Sequence, residues 1–169
     1  MNRVPQAYAI EDVREKLTPT LQHEIIQFWV GEEVLPEAVA KERVLQVMQV
    51  LRHSESQAII GLVSGQLKYI EAMKMHFYNC RGFVKAAYRS QGLFIKTFRD
   101  TYYLLNQDYV SGKNTKASGI FVNIENPLLK NHNQAIWWGG DNGEIPYFFM
   151  GYSAQGNHIR IAYFKGVTV

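Results

Sequence analysis

Cysteine is almost absent: Cys80 is the only one in 169 residues. No internal disulfide can form, and no cysteine-built zinc site can be assembled. The five histidines, His23, His53, His76, His132 and His158, follow no metal-ligand spacing, so no metal is expected. Long apolar runs are missing too, which argues against a transmembrane helix and a membrane partner. The first ten residues, MNRVPQAYAI, lack the apolar centre of a secretory signal. Together with the single thiol, this makes a cytoplasmic location the expectation. Charge of one sign is also scarce. Eighteen Lys and Arg against fifteen Asp and Glu leave +3, with no run of five or six basic residues. That balance permits an anionic ligand but is too mild for a nucleic-acid binder. No repeat or low-complexity tract occurs.

What is present is a folded-protein composition. Hydrophobic residues make up 47% and charged ones 20%, enough apolar mass for a core. The length suits one domain over residues 1–169. Thr18-Pro19 is a helix start, since Thr caps well and Pro suits the first helical position. Leu21, Ile25, Phe28 and Trp29 then recur at helical spacing up to Gly31, and a short helix from Pro36 to about Lys41 follows.

From Arg43 a β-branched run with Val44, Val47, Val50 and Leu51 predicts a strand. Ser54-Glu55-Ser56-Gln57 is a turn, and residues 58–63 (AIIGLV) form a second strand, apolar as if covered on both faces. Leu67 to Met75 fits either helix or strand. Residues 76–87 (HFYNCRGFVKAA) read as a third strand, with Gly82 marking a bulge or close approach. A polar turn, Arg89-Ser90-Gln91-Gly92, leads into a helix with Phe94, Phe98, Tyr102 and Leu105 on one face. Residues 118–124 (SGIFVNI) are a strand. A helix from Asn126 to about Trp138 is expected next, with Trp137-Trp138 as its packing aromatics. Residues 147–152 and 158–164 close as two strands. Strands mixed with helices imply an α/β domain with a mixed central sheet flanked by helices.

The chemistry concentrates in Phe83 to Phe94, FVKAAYRSQGLF. A strand runs into a glycine-bearing turn that opens a helix. First-turn helix amides have no intrahelical acceptor and sit at the positive end of the dipole. Gly92 permits close backbone approach, and Arg89 adds a fixed positive charge. This composes a phosphate or pyrophosphate site, although it is neither a GxxxxGK[ST] loop nor a GxGxxG fingerprint.

Arg89-Ser90-Gln91-Gly92-Leu93-Phe94 resembles the Q/R-x-x-G-x-G/A signature of the GCN5-related N-acetyltransferases. The preceding FVKAAYR is similar to that family's strand-four approach. The resemblance implies acetyl-coenzyme A as acyl donor, held through its pyrophosphate by Arg89, Ser90, Gln91, Gly92, Leu93 and Phe94. It also implies that Phe83 and Val84 face the thioester and pantetheine arm, and that Asn123 or Asn126 supplies the asparagine the family often has at the end of strand five. Phe94 stands where the family has Gly or Ala, so its side chain must turn toward the core. The family's helix-four tyrosine position falls near Asn133, so that proton donor is missing.

Acyl transfer to an amine also needs a base and an acid. Glu71, His76 and Glu125 are base candidates, and Tyr78 and Tyr163 are candidate proton donors. Each also has a plain structural reading as a solvated or packed side chain. Cys80 reads as a small buried apolar residue. The expected function is transfer of an acetyl group to a small amine or a peptide N-terminus. The alternatives are a longer acyl chain, or a coenzyme-holding sensor or dimerisation module without catalysis. A homodimer is left open.

Overall fold

A computed structural model of the chain describes residues 8–126 and 135–169. Eight strands hydrogen-bond into one mixed sheet with helices around it, an α/β fold. They are β1 (Tyr8–Asp12), β2 (Val47–His53), β3 (Ile59–Ile70), β4 (Met75–Val84), β5 (Gly119–Ile124), β6 (Ile136–Gly139), β7 (Ile145–Tyr152) and β8 (His158–Tyr163). Their order across the sheet is β1-β2-β3-β4-β5-β8-β7-β6. The helices are α1 (Pro19–Gly31), α2 (Glu37–Arg43) and α3 (Leu93–Val110). The chain divides into two compact units, residues 1–64 with 82–98, and residues 65–81 with 99–169. Each is described separately.

In the first unit, α1 starts as its sequence dictates. The Thr18 hydroxyl accepts from the Leu21 amide at 3.2 Å, and Pro19 takes the first helical position. Ile25, Phe28 and Trp29 are buried together with Ala40, Val44, Val50 and Leu62. A second cluster, Leu51, Ile60, Val84 and Leu93, takes the alternate residues of the same strands. The segment of β3 from Ile59 to Val63 is buried without interruption, as its apolar sequence requires. The β2–β3 hairpin is antiparallel and turns through residues 54–57.

In the second unit, β4 and β5 pair in parallel from Tyr78↔Ile120 to Cys80↔Val122. β5 then pairs antiparallel with β8 along its whole length, Gly119↔Tyr163 to Ile124↔His158. Gly119 is required there, because a Cβ would run into the Ala162 carbonyl oxygen. Tyr102 of α3 donates to the Tyr163 carbonyl at 2.8 Å, and burial pushes its hydroxyl pKa up to about 12.

Several sequence readings change. β1 was not expected; its register against β2 rests on pairing that five residues cannot advertise alone. Val44 to Gln46 form a 3-10 turn continuing α2, so β2 starts only at Val47. The ambiguous Leu67–Met75 stretch splits: β3 runs on to Ile70, a 3-10 turn spans Glu71–Met73, and Lys74 reverses the chain at φ 54. Residues 86–91, divided at sequence level between the end of strand three and a turn, form a 3-10 helix after β4 ends at Val84. Trp137 and Trp138 lie on strand β6, not on a helix, and pair with Tyr147 and Pro146 of β7. Ile-Trp-Trp is rich in β-favouring side chains, and ladder pairing decides the outcome. The rest of that expected helix, with Asn133, lies outside the described residues. Among these, no helix is long and apolar enough to cross a membrane.

Candidate functional site

The corner that closes β4 is built within the first unit. Val84 is buried at 3% exposure and plugs the strand end into the core. Phe83 lies edge-on to Phe28, with ring centroids 5.8 Å apart. The Lys85 amide donates to the Ile60 carbonyl at 2.8 Å, and its ammonium pairs with Glu32 at the same distance. The chain direction is therefore fixed before the turn begins. Residues 86–91 wind as a 3-10 helix, with the Tyr88 amide donating to the Lys85 carbonyl at 2.9 Å. Arg89 Nε donates back to the Val84 carbonyl at 2.8 Å, and its guanidinium lies 5.2 Å from the Phe83 ring centroid. Both contacts hold an exposed cation against the end of β4.

Gly92 then adopts φ 69 and ψ 9, the left-handed conformation that glycine reaches without strain. A Cβ there would meet nothing within 4 Å. The backbone is thus open on that side. α3 follows at once. Its first intrahelical bond is from the Lys96 amide to the Gly92 carbonyl, 3.1 Å, so the amides of Leu93, Phe94 and Ile95 precede the hydrogen-bonded ladder. Leu93 is buried at 1% exposure and anchors this helix start. Phe94 packs on the Leu51, Ile60, Val84 and Leu93 cluster, and its ring centroid is 4.8 Å from that of Phe98. It turns to the core, as the signature's departure at this position required. Gly82 leaves room for the Phe98 ring. The result is a helix start after an exposed αL glycine, with the Arg89 guanidinium held at the end of the preceding strand, groups suited to an anion.

The remaining sequence candidates lie in the second unit. Glu71 is exposed on its 3-10 turn and ion-paired with Lys74. His76 is exposed and stacks on Tyr69, with centroids 4.9 Å apart. The Tyr163 ring packs 5.6 Å from Phe77 and 6.2 Å from Phe148, and desolvation raises its hydroxyl pKa. Among the described residues, no hydrogen bond, ion pair or ring contact joins Glu71, His76 and Tyr163. Tyr78 accepts from the Asn114 side-chain amide at 2.9 Å. Glu125 and Asn126 are exposed after β5. Cys80 is a free, buried thiol, and desolvation pushes its pKa up to about 12, which makes it inert at neutral pH. Among the described residues, no group of three or more His, Cys, Asp or Glu could hold a metal.

Sequence reasoning passed over one feature. Asn79 is 7% exposed, and its side-chain oxygen has no hydrogen-bond partner among the described residues. The side-chain oxygen of Asn123, which the sequence did single out as a strand-five candidate, is likewise buried and unpartnered among the described residues. The available signal was a lone amide in each of two aromatic strands, FYNCRGF and GIFVNI.

No protein-family model matches the chain, and no curated protein matches it in sequence. Solved structures do. A ribosomal-protein-S5-alanine acetyltransferase from Vibrio fischeri aligns over 96% of both chains, with TM-score 0.57 and 10% identity. The KacTA–DNA complex aligns over 94% of both chains, with TM-score 0.57 and 14% identity. A mutant AtaT toxin bound to the C-terminus of the antitoxin AtaR aligns over 94% of both, with TM-score 0.54 and 13% identity. The likeness is one of fold, carried over nearly the full length. The element order agrees with it, down to the parallel β4–β5 pair and the helix that follows β4. The chain has the fold of the GCN5-related N-acetyltransferases.

Proposed function

We propose that the protein is an N-acyltransferase that moves an acetyl group from acetyl-coenzyme A to an amine. The observation that carries this reading is the corner at Gly92. An αL glycine open on its Cβ side, helix amides that precede the ladder of α3 and an Arg89 side chain held at the end of β4 are the parts that support a pyrophosphate site here. Arg89, Ser90, Gln91, Gly92, Leu93 and Phe94 are assigned to the diphosphate through their backbone, with Arg89 adding charge. Phe83 and Val84 are assigned to the pantetheine arm and thioester, and Asn123 or Asn126 to the strand-five role. An amide aimed at the thioester oxygen would stabilise the charge that develops there.

In the reaction, the acceptor nitrogen attacks the thioester carbon. The new C–N bond forms as the C–S bond breaks, the amine gives up a proton, and the thiolate takes one. Holding both substrates in place supplies much of the acceleration. A positioned base adds about 10²- to 10⁴-fold; Glu71, His76 and Tyr163 are the side chains assigned to proton transfer. The acceptor is a small amine or a peptide N-terminus. The name of the S5-alanine acetyltransferase supports the peptide form, and the toxin neighbours support a macromolecular partner.

Calorimetry with coenzyme A, and thiol release from acetyl-coenzyme A over a panel of amines, test this reading. Micromolar binding that Arg89→Glu removes, with amine-dependent thiol release, is the expected result. Binding that ignores Arg89→Glu would overturn the corner. Because no described contact links Glu71, His76 and Tyr163, a coenzyme-holding sensor is the second reading. Tight binding with no turnover on any amine, at any acyl length, would select it.

A further inference from the structure

We infer that the Arg89 side chain is a lid: it lies where the pantetheine arm of the coenzyme would lie, and it uncovers that place when a diphosphate engages its guanidinium. The inference rests on the proposed transferase reading, which assigns Arg89 to the diphosphate and Phe83 and Val84 to the arm. All the residues involved belong to the first unit. The Val84 carbonyl and the Lys85 amide share one trans peptide, so they point in opposite directions. The amide donates to the Ile60 carbonyl of β3 at 2.8 Å, which turns the Val84 carbonyl away from β3. Arg89 Nε donates to that outward carbonyl at 2.8 Å. The same guanidinium lies over the Phe83 ring, 5.2 Å from its centroid. Phe28 packs edge-on against Phe83, centroids 5.8 Å apart, and fixes the tilt of the ring. Phe83 is half-buried and Arg89 is exposed, so what the guanidinium covers is surface.

A pantetheine arm is an apolar chain interrupted by amides. To lie along the end of β4 it needs an outward carbonyl that accepts from an amide N–H, and an apolar face to pack on. Arg89 holds both. Its planar guanidinium imitates the arm, with an N–H into the Val84 carbonyl and a flat group on the Phe83 ring. Arg89 and the arm therefore compete for the same contacts. A carbonyl and an aromatic ring are weak partners for an exposed cation. A diphosphate is a stronger one, because a guanidinium fork meets its oxygens with paired, charge-assisted hydrogen bonds. Gly92 and the Leu93 to Ile95 amides follow in the same corner, so the anion that draws Arg89 off Phe83 has further donors nearby. Opening needs no backbone motion. The Tyr88 amide stays bonded to the Lys85 carbonyl, and only the exposed side chain changes rotamer. The closed lid lowers the apparent affinity of any arm that arrives without a phosphate. Arg89 thus discriminates coenzyme A from pantetheine and from simple thioesters.

The test uses the full-length protein with coenzyme A and inorganic pyrophosphate, followed by calorimetry, and with pantetheine, followed by NMR of the Phe83 ring. Arg89→Ala should weaken coenzyme A about tenfold and tighten pantetheine about tenfold, opposite signs that a merely structural or merely attractive arginine would not give. In the wild type, saturating pyrophosphate should shift the Phe83 ring resonances and tighten pantetheine about fivefold. In Arg89→Ala it should do neither. Pantetheine that binds Arg89→Ala no better than the wild type, or that ignores pyrophosphate in the wild type, would overturn the lid. If coenzyme A still binds the wild type in that case, the transferase reading stands without it. A wild type that binds neither coenzyme A nor pyrophosphate would sink both.

Discussion

The two ends of β4 solve opposite problems. At its C-terminal end, the chain spends side chains on fixing backbone: Val84 plugs the core, Arg89 grips the Val84 carbonyl, and the Leu93 to Ile95 amides precede the ladder of α3. In its N-terminal half the backbone pairs with β5, and it is a side chain, Asn79, that is left unsatisfied among the described residues. One end offers donors and the other acceptors.

Four experiments break or sharpen that contrast. Leu93→Ala attacks the packing beneath the donor end and should cost about 2–5 kcal/mol, read as a fall in the denaturation midpoint. Arg89→Glu removes the hydrogen bond to the Val84 carbonyl and should cost about 1 kcal/mol, less than Leu93→Ala, yet should cut coenzyme A affinity by about a hundredfold. A variant that loses stability but not affinity would reverse the roles given to these two residues. Gly92→Val should cost about 1–3 kcal/mol through backbone strain at positive φ, while Gly92→Asn, which tolerates that conformation, should lose much less. Equal losses would show that side-chain bulk, rather than strain, matters there. Asn79→Leu should leave the fold as stable as the wild type or more so, because it removes a buried acceptor with no partner. A marked loss of stability would mean that the amide has a structural role.

The smallest effect is electrostatic and confined to the first unit. The hydrogen bond and charge of Arg52 hold the Glu24 carboxyl below its ordinary pKa. A depressed carboxylate adds stability that is present above its unfolded pKa, near 4.5, and lost as pH falls through the lower folded value. Both groups are partly exposed, so the effect is modest. Arg52→Met should flatten the acid limb of a stability-against-pH curve below about pH 4.5 and leave the neutral plateau's slope unchanged.

The donor end was legible in the sequence because its chemistry is local. Strand, polar turn, glycine and amphipathic helix follow one another within twelve residues, each set by propensity and capping. Phe94 shows how far that reached: a signature position with the wrong side chain implied an inward ring, and the ring is inward. The acceptor end was not legible. Asn79 can be read in FYNCRGF, but burial and the lack of a partner depend on β5 and β8, which arrive much later in the chain. β6 failed for the same reason. Four residues have no periodicity to announce them, and Trp137 and Trp138 took their conformation from β7. Glu71 and His76 were read as base candidates from chemistry alone; Glu71, on its 3-10 turn, is ion-paired with Lys74, and His76, on β4, stacks on Tyr69.

The strand order β5-β8-β7-β6 has a consequence for how the molecule comes into being. β8 is inserted between two strands synthesised before it, so β5 must wait with one edge unpaired until the last strand arrives. During that interval the growing polypeptide exposes a template for strand addition, and a foreign segment seated there would block closure. A short peptide copying residues 158–163, supplied during refolding, would trap this incomplete form, whereas the finished sheet would ignore it.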